Sequence, residues 1–135
     1  MKAISVNCFF IALCLFVGTS LKAQSIDDYN TEQVRQGKLL YDEDFNPIGH
    51  ISLKNISSKT ITTIEVSVYY GRINAPSYVS LKDRIADVKR VIAHVVIRPN
   101  DTGTFSINVP KSNELYKPEG FMITKVRYSD GTVCQ

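Results

Sequence analysis

The sequence predicts an all-β protein, a single immunoglobulin-like β-sandwich of about seven strands with a short helix or hairpin insert near residues 80–90. Three observations carry this. Apolar and polar residues alternate along several stretches, most cleanly where Ile64, Val66, Val68 and Tyr70 interleave with Glu65, Ser67 and Tyr69. That is the period-2 pattern of a strand with one buried face. Clusters of Asn, Asp, Ser, Gly and Pro separate these stretches at regular spacing, as in a sandwich built from short strands. No long segment keeps a reliable helical period.

The chain opens on an address. Met1-Lys2 is a short positive start, an apolar run extends from Cys8 to Val17, and Leu21-Lys22-Ala23 precedes Gln24. This reads as a signal peptide over residues 1–23, cleaved after Ala23. The apolar run is about ten residues, half of the ~20 that a spanning helix needs, so no transmembrane anchor is expected after cleavage. Neither Cys8, after Asn7, nor Cys14, after Leu13, follows the small residue that lipidation requires.

The leader takes Lys2 and Lys22 of the sixteen basic residues and none of the thirteen acidic ones, leaving a mature charge of +1. With no basic run and no Arg/aromatic interleaving, a nucleic-acid partner is not expected. The mature chain, a little over a hundred residues, suffices for one domain and one core.

Residues 24–36 (QSIDDYNTEQVRQ) are polar and read as a flexible lead to a sandwich domain over residues 37–135. Lys38 to Asp42 is a first short strand, and Asp42-Glu43-Asp44-Phe45-Asn46-Pro47 a turn. Ile48 to Gly71 reads as a long hairpin whose strands flank the polar turn Asn55, Ser57, Ser58, Lys59. Gly71 to Ser77 is loop. From Ser80 to Ile92, Leu81, Ile85, Val88 and Ile92 share a helical face and Ser80 precedes Asp83 as a weak capping box. A broken strand fits as well, and a strand hairpin insert with some helical character is preferred.

Val91 to Ile97 is apolar on both faces, the mark of a central strand. Arg98 to Gly103 is a turn, and Thr104 to Val109 a strand with Phe105, Ile107 and Val109 inward. Residues 110–120 form a polar loop. Phe121 to Tyr128 is a strand with Met122, Val126 and Tyr128 on one parity, Asp130-Gly131 a type I′ hairpin turn, and Thr132 to Cys134 the closing strand.

Three stretches together resemble a known family: K-N-turn-I-x-x-I-x-V-x-V-Y-Y-G, I-R-P-N-D-T-G-x-F-x-I and I-T-K-V-x-Y-x-D-G-T. The pattern, carried by Asn55, Tyr69-Tyr70-Gly71, Pro99, Gly103 and Phe105 over most of residues 48–134, resembles small exported sandwich domains of the FxLYD type. The resemblance implies a fold and no enzymatic activity.

Candidate chemistry is sparse. His50 and His94 lie on separate strands with no further ligand at metal-binding spacing. Asp42, Asp44 and Asn46 stand at positions 1, 3 and 5 of a calcium-loop pattern, but Pro47 replaces its glycine and Leu53 its bidentate Glu. A solvated turn competes with a weak Ca²⁺ or carbohydrate site there. No nucleophile elbow is present, so neither an enzyme nor a cofactor is expected. Cys134 is the one cysteine left after cleavage. It could join another chain by a disulfide, or be a small apolar side chain ending the last strand, the preferred reading. Tyr69, on the outward parity, and Tyr78 and Tyr116, in loops, are candidate contact residues. The sequence thus points to an exported binding or assembly module of the cell envelope with a protein partner, its alternatives being an accessory subunit linked through Cys134 or the weak ion or glycan binder.

Overall fold

The computed structural model describes Ile26 and residues 34–135. The signal peptide and most of the polar lead therefore lie outside the described residues. Seven strands follow: β1 (Val34–Tyr41), β2 (Pro47–Lys54), β3 (Ile61–Arg72), β4 (Ile85–Ile97), β5 (Thr102–Asn108), β6 (Tyr116–Tyr128) and β7 (Val133–Cys134). A single helical turn, α1 (Leu81–Arg84), precedes β4. The strands form two antiparallel sheets, ordered β1-β2-β5 and β4-β3-β6-β7, which is the all-β sandwich read from the sequence. β1 begins at Val34, inside the stretch read as lead, and Ile26 packs against the core.

The core lies between the sheets. Ile51, Leu53 and Ile107 face it from one side, and Ile64, Val66, Val68, Tyr70, Ile123 and Val126 from the other. The alternation that predicts these strands is thus the burial pattern that holds the sheets together.

The hairpin over residues 48–71 is not formed. β2 bonds to β1 and β5, β3 to β4 and β6, and residues 55–60 cross from one sheet to the other. Asn55 sets the crossing. It is wholly buried, its Nδ2 donates to Lys59 O at 2.7 Å and Ile97 O at 2.9 Å, and its Oδ1 accepts from Ser57 N and Oγ. Its backbone N–H donates to Asp101 O and its carbonyl accepts from Asn100 N. One side chain therefore fastens the β2–β3 crossing to the β4–β5 turn, where Pro99 and Asn100 (φ 66°) take the two central positions of a type II geometry.

Three other expectations are corrected. The 80–92 region holds the short helix that the sequence allows and not the preferred hairpin insert. Ser80 caps one turn, accepting from Asp83 N at 3.3 Å, and the chain then enters β4, which pairs with β3. β4 is an edge strand and not a central one, and no layer of the described residues covers the outer face of its sheet, so Ile92 and Val96 are exposed. In β6 the register slips at Thr124, so Glu65 opposes Lys125 while Val66 opposes Ile123. The bulge flips the parity, leaving Met122 outward while Ile123, Val126 and Tyr128 point in.

The β6–β7 turn also departs from type I′, because only Gly131 (φ 86°) is left-handed. Gly131 N donates to Tyr128 O and Tyr128 N to Thr132 O, a three-residue loop closed by a left-handed glycine. Asp130 accepts from Thr132 N at 2.9 Å and Thr132 Oγ1 at 2.5 Å, and lies 3.0 Å from Lys59 Nζ. Burial alone would raise the Asp130 carboxyl, but these hydrogen bonds and the Lys59 charge outweigh it and hold the pKa at about 2. That lies below the ordinary 3.8, so the contribution is present above about pH 4 and is lost as pH falls towards 2. For a half-exposed carboxylate we expect roughly 1 kcal/mol after allowance for solvent screening. Urea midpoints at pH 5 and pH 2.5 measure it, and Asp130→Asn should remove that part of the acid sensitivity.

Candidate functional site

The two ends of the sandwich differ in chemistry. At one end, the 55–60, 98–101 and 129–132 segments are polar and cross-bonded through Asn55 and the Lys59–Asp130 pair. At the other end the β1–β2 turn, the β3–β4 connection and the β5–β6 loop converge. Val109 N donates to Pro47 O at 3.1 Å and Ile73 N to Leu115 O at 2.9 Å, joining the three segments. The Tyr70 hydroxyl donates to Pro110 O. Burial first, and then the Asp87 carboxylate, raise the Tyr70 pKa, so the phenol keeps the proton it donates. Ser112 Oγ bonds Asp87 Oδ2 at 2.7 Å, which holds that carboxyl below its ordinary range and pins the same loop to β4.

This second end presents apolar side chains to solvent: Leu40, Tyr41 and Phe45 from the first segment, Ile73, Tyr78 and Leu81 from the second, and Leu115 from the third. None of the exposed large apolar residues lies in the segments of the opposite end. Phe45, 84% exposed, is the most informative. Phe45 N donates to Asp42 O and Asp42 N to Asn46 O, the same pattern that Gly131 closes in the β6–β7 turn. Phe45 takes the glycine position with φ 60°, a conformation that costs a side-chain-bearing residue roughly 1–2 kcal/mol.

A groove of about 450 Å³ runs from this end onto the outer face of the four-stranded sheet, lined by Tyr69, Leu81, Lys82, Ile85, Gly120, Phe121 and Met122. Gly120 opposes Tyr69 across the β3–β6 pair, and a side chain at 120 would point into open space, with no atom within 4 Å of its Cβ. The missing side chain makes the groove. Tyr69 Oη, 3.8 Å from Met122 Sδ, forms one wall. Arg84, 3.7 Å from Glu119, ties α1 to β6 and so holds Leu81 over the other.

The predicted site residues fall out unequally. Tyr69 lines the groove, and Tyr78, 88% exposed, stands in the connection that supplies Leu81. Tyr116 is not in a loop. It is the first residue of β6 and packs against the core, because β6 starts five residues earlier than expected.

In the turn that carries Asp42, Asp44 and Asn46, the Asp42 carboxylate bonds its own neighbours. Asp42 Oδ1 accepts from Asp44 N at 2.9 Å and Asn46 N at 2.8 Å, and Asn46 Nδ2 bonds the same carboxylate. The Asn46 backbone and side chain hold the Asp42 carboxyl below its ordinary range, so its lone pairs serve the turn. Cys134 is wholly buried opposite Val126, so another chain could reach its sulfur only after β7 detaches. His50 meets Ser106 Oγ at 3.1 Å on one sheet, while His94 is exposed on the other. Among the described residues no group of three metal-ligating side chains occurs and no helix is long and apolar enough to cross a membrane.

Sequence reasoning missed Phe45, Leu115 and Gly120. The only signal for Phe45 was a bulky residue where a turn wants Gly or Asn. No family model, curated protein or solved structure matches this chain, so the likeness to FxLYD-type domains rests on its own residues.

Proposed function

We propose that this chain is an exported, non-catalytic binding module of the cell envelope that grips a protein partner with the apolar end of its sandwich. The observation that carries the reading is Phe45, exposed and left-handed where the equivalent turn uses glycine. A conformational cost kept at a solvent-facing tip is accounted for by a contact made outside the chain. The neighbouring apolar tips and the groove support the same reading, since a desolvated pocket ringed by apolar and aromatic side chains is how interfaces concentrate their binding energy. Tyr69, Leu81 and Met122 suit a partner side chain inserted over Gly120, Met122 adapting its shape to it.

Gly120→Leu tests this directly. The new Cβ meets no atom within 4 Å and the rest of the side chain extends into the open groove, so the melting temperature should stay within about 2 °C of wild type. Capture of the partner from envelope extract should drop at least ~10-fold. Equal capture by wild type and Gly120→Leu would sink the groove as the contact site.

A further inference from the structure

The open edge of the four-stranded sheet is β4, thirteen residues long. One flank bonds to β3, and no strand of the described residues bonds to the other. Soluble proteins blunt such an edge with proline, a bulge or charge. Here β4 has no proline, and its register against β3 is irregular only beside Ala86 and between His94 and Ile97. Asp87, Lys89 and Arg90 are confined to its first half, and from Val91 to Ile97 only His94 is polar. On the outer face Val88, Ile92 and Val96 project at four-residue spacing, with Ile92 59% and Val96 76% exposed. Below the edge the two sheets part, and a cleft of about 330 Å³ bares the flanks of Val91, Ala93, Val95, Phe105 and Ile107.

We propose that β4 pairs with β4 of a second copy of this chain, antiparallel about a twofold axis through Ile92, joining two four-stranded sheets into one of eight strands. The side chains favour an axis at Ile92 over one at Val91 or Arg90. With Ile92 opposite Ile92 of the second copy, each Val88 meets Val96, each Val91 meets Ala93 and each Arg90 meets His94. Lys89 then faces Val95, and Asp87 faces Ile97. Moving the axis to Val91 sets Val88 against His94 and Ile92 against Arg90. Moving it to Arg90 opposes two guanidinium groups, which is destabilising for directly facing strand residues. An apolar stripe symmetric about its middle residue is complementary to itself, the requirement of an isologous interface. The added strand also closes the mouth of the cleft between β4 and β5. This pairing is independent of the apolar end, which lies at the strand ends and stays exposed.

Sedimentation equilibrium of the protein from ~1 to ~200 μM should show a concentration-dependent shift from one to two chains, as expected of an interface at the small end of the stable range. Ile92→Lys places two ammonium groups face to face at the axis and should raise the dissociation constant at least ~10-fold. Ile92 points to solvent, so circular dichroism and melting of the monomer should match wild type. Met122→Lys, on the same face but off the edge, should leave the dimer intact. A chain that stays monomeric throughout, a mass beyond two chains, or a dimer indifferent to Ile92→Lys would overturn the pairing.

Discussion

Asn55→Ala should destabilise the protein by about 3 kcal/mol, the largest loss expected from any single polar side chain here. Four hydrogen bonds disappear together, three that brace the 55–60 crossing and one that joins it to the end of β4. Lys59 O keeps a bond from Ser57 Oγ at 3.0 Å, but Ile97 O loses the Asn55 amide inside the core, where no water replaces it. The truncation also leaves a void in a site with no exposure. In urea titrations the midpoint should fall while the slope stays constant, as for a native-state loss. A loss under about 1 kcal/mol would mean that the backbone bonds of residue 55 hold the crossing unaided.

Asn55 also explains what was legible in the sequence. Alternation located the strands, because the facing sheets bury one side of each strand and nothing else produces that period. It could not say which strands pair. Ile51 and Leu53 face Ile64 and Val66 across the core in the same pattern that a hairpin would share on one sheet. A buried Asn in a crossing and a solvated Asn in a turn are the same letter. The apolar character of Val91–Ile97 misled for a related reason, since a stripe left exposed at an edge reads like a stripe covered by a third layer. The bulge at Thr124 was illegible because it inserts one residue without any Gly or Pro to mark it.

The placement of the candidate residues was only partly legible. The β3–β4 connection and the β5–β6 loop read as loops from their turn residues and as contact candidates from Tyr78 and Tyr116, and the two segments meet through Ile73 and Leu115. Tyr116 was misplaced because the strand bounds slipped, and strand ends are where the apolar pattern fades. The spacing of two carboxylates and one carboxamide at Asp42, Asp44 and Asn46 invites a metal reading, whereas the Asp42 oxygens accept from the turn itself.

Replacing Phe45, Tyr78 and Leu115 together by serine should weaken partner binding by about 100-fold or more without loss of stability. These three tips come from the three segments that converge at the apolar end, so they sample the whole proposed contact. Each side chain is worth roughly 1.5 kcal/mol or more if its partner buries it, and two or three such anchors exceed a hundredfold even when they are not fully additive. In the isolated protein they bury little, so little is lost. At position 45 the sign reverses, and Phe45→Gly alone should raise stability by about 1 kcal/mol, because glycine adopts φ 60° without strain. Isothermal titration against the captured partner and urea unfolding read the two quantities separately. Asn55→Ala is the complementary control, losing stability at the polar end while binding normally below its unfolding midpoint. If the serine variant binds as wild type does, the exposed tips are incidental. If it unfolds, they belong to the core, and the left-handed Phe45 needs another explanation.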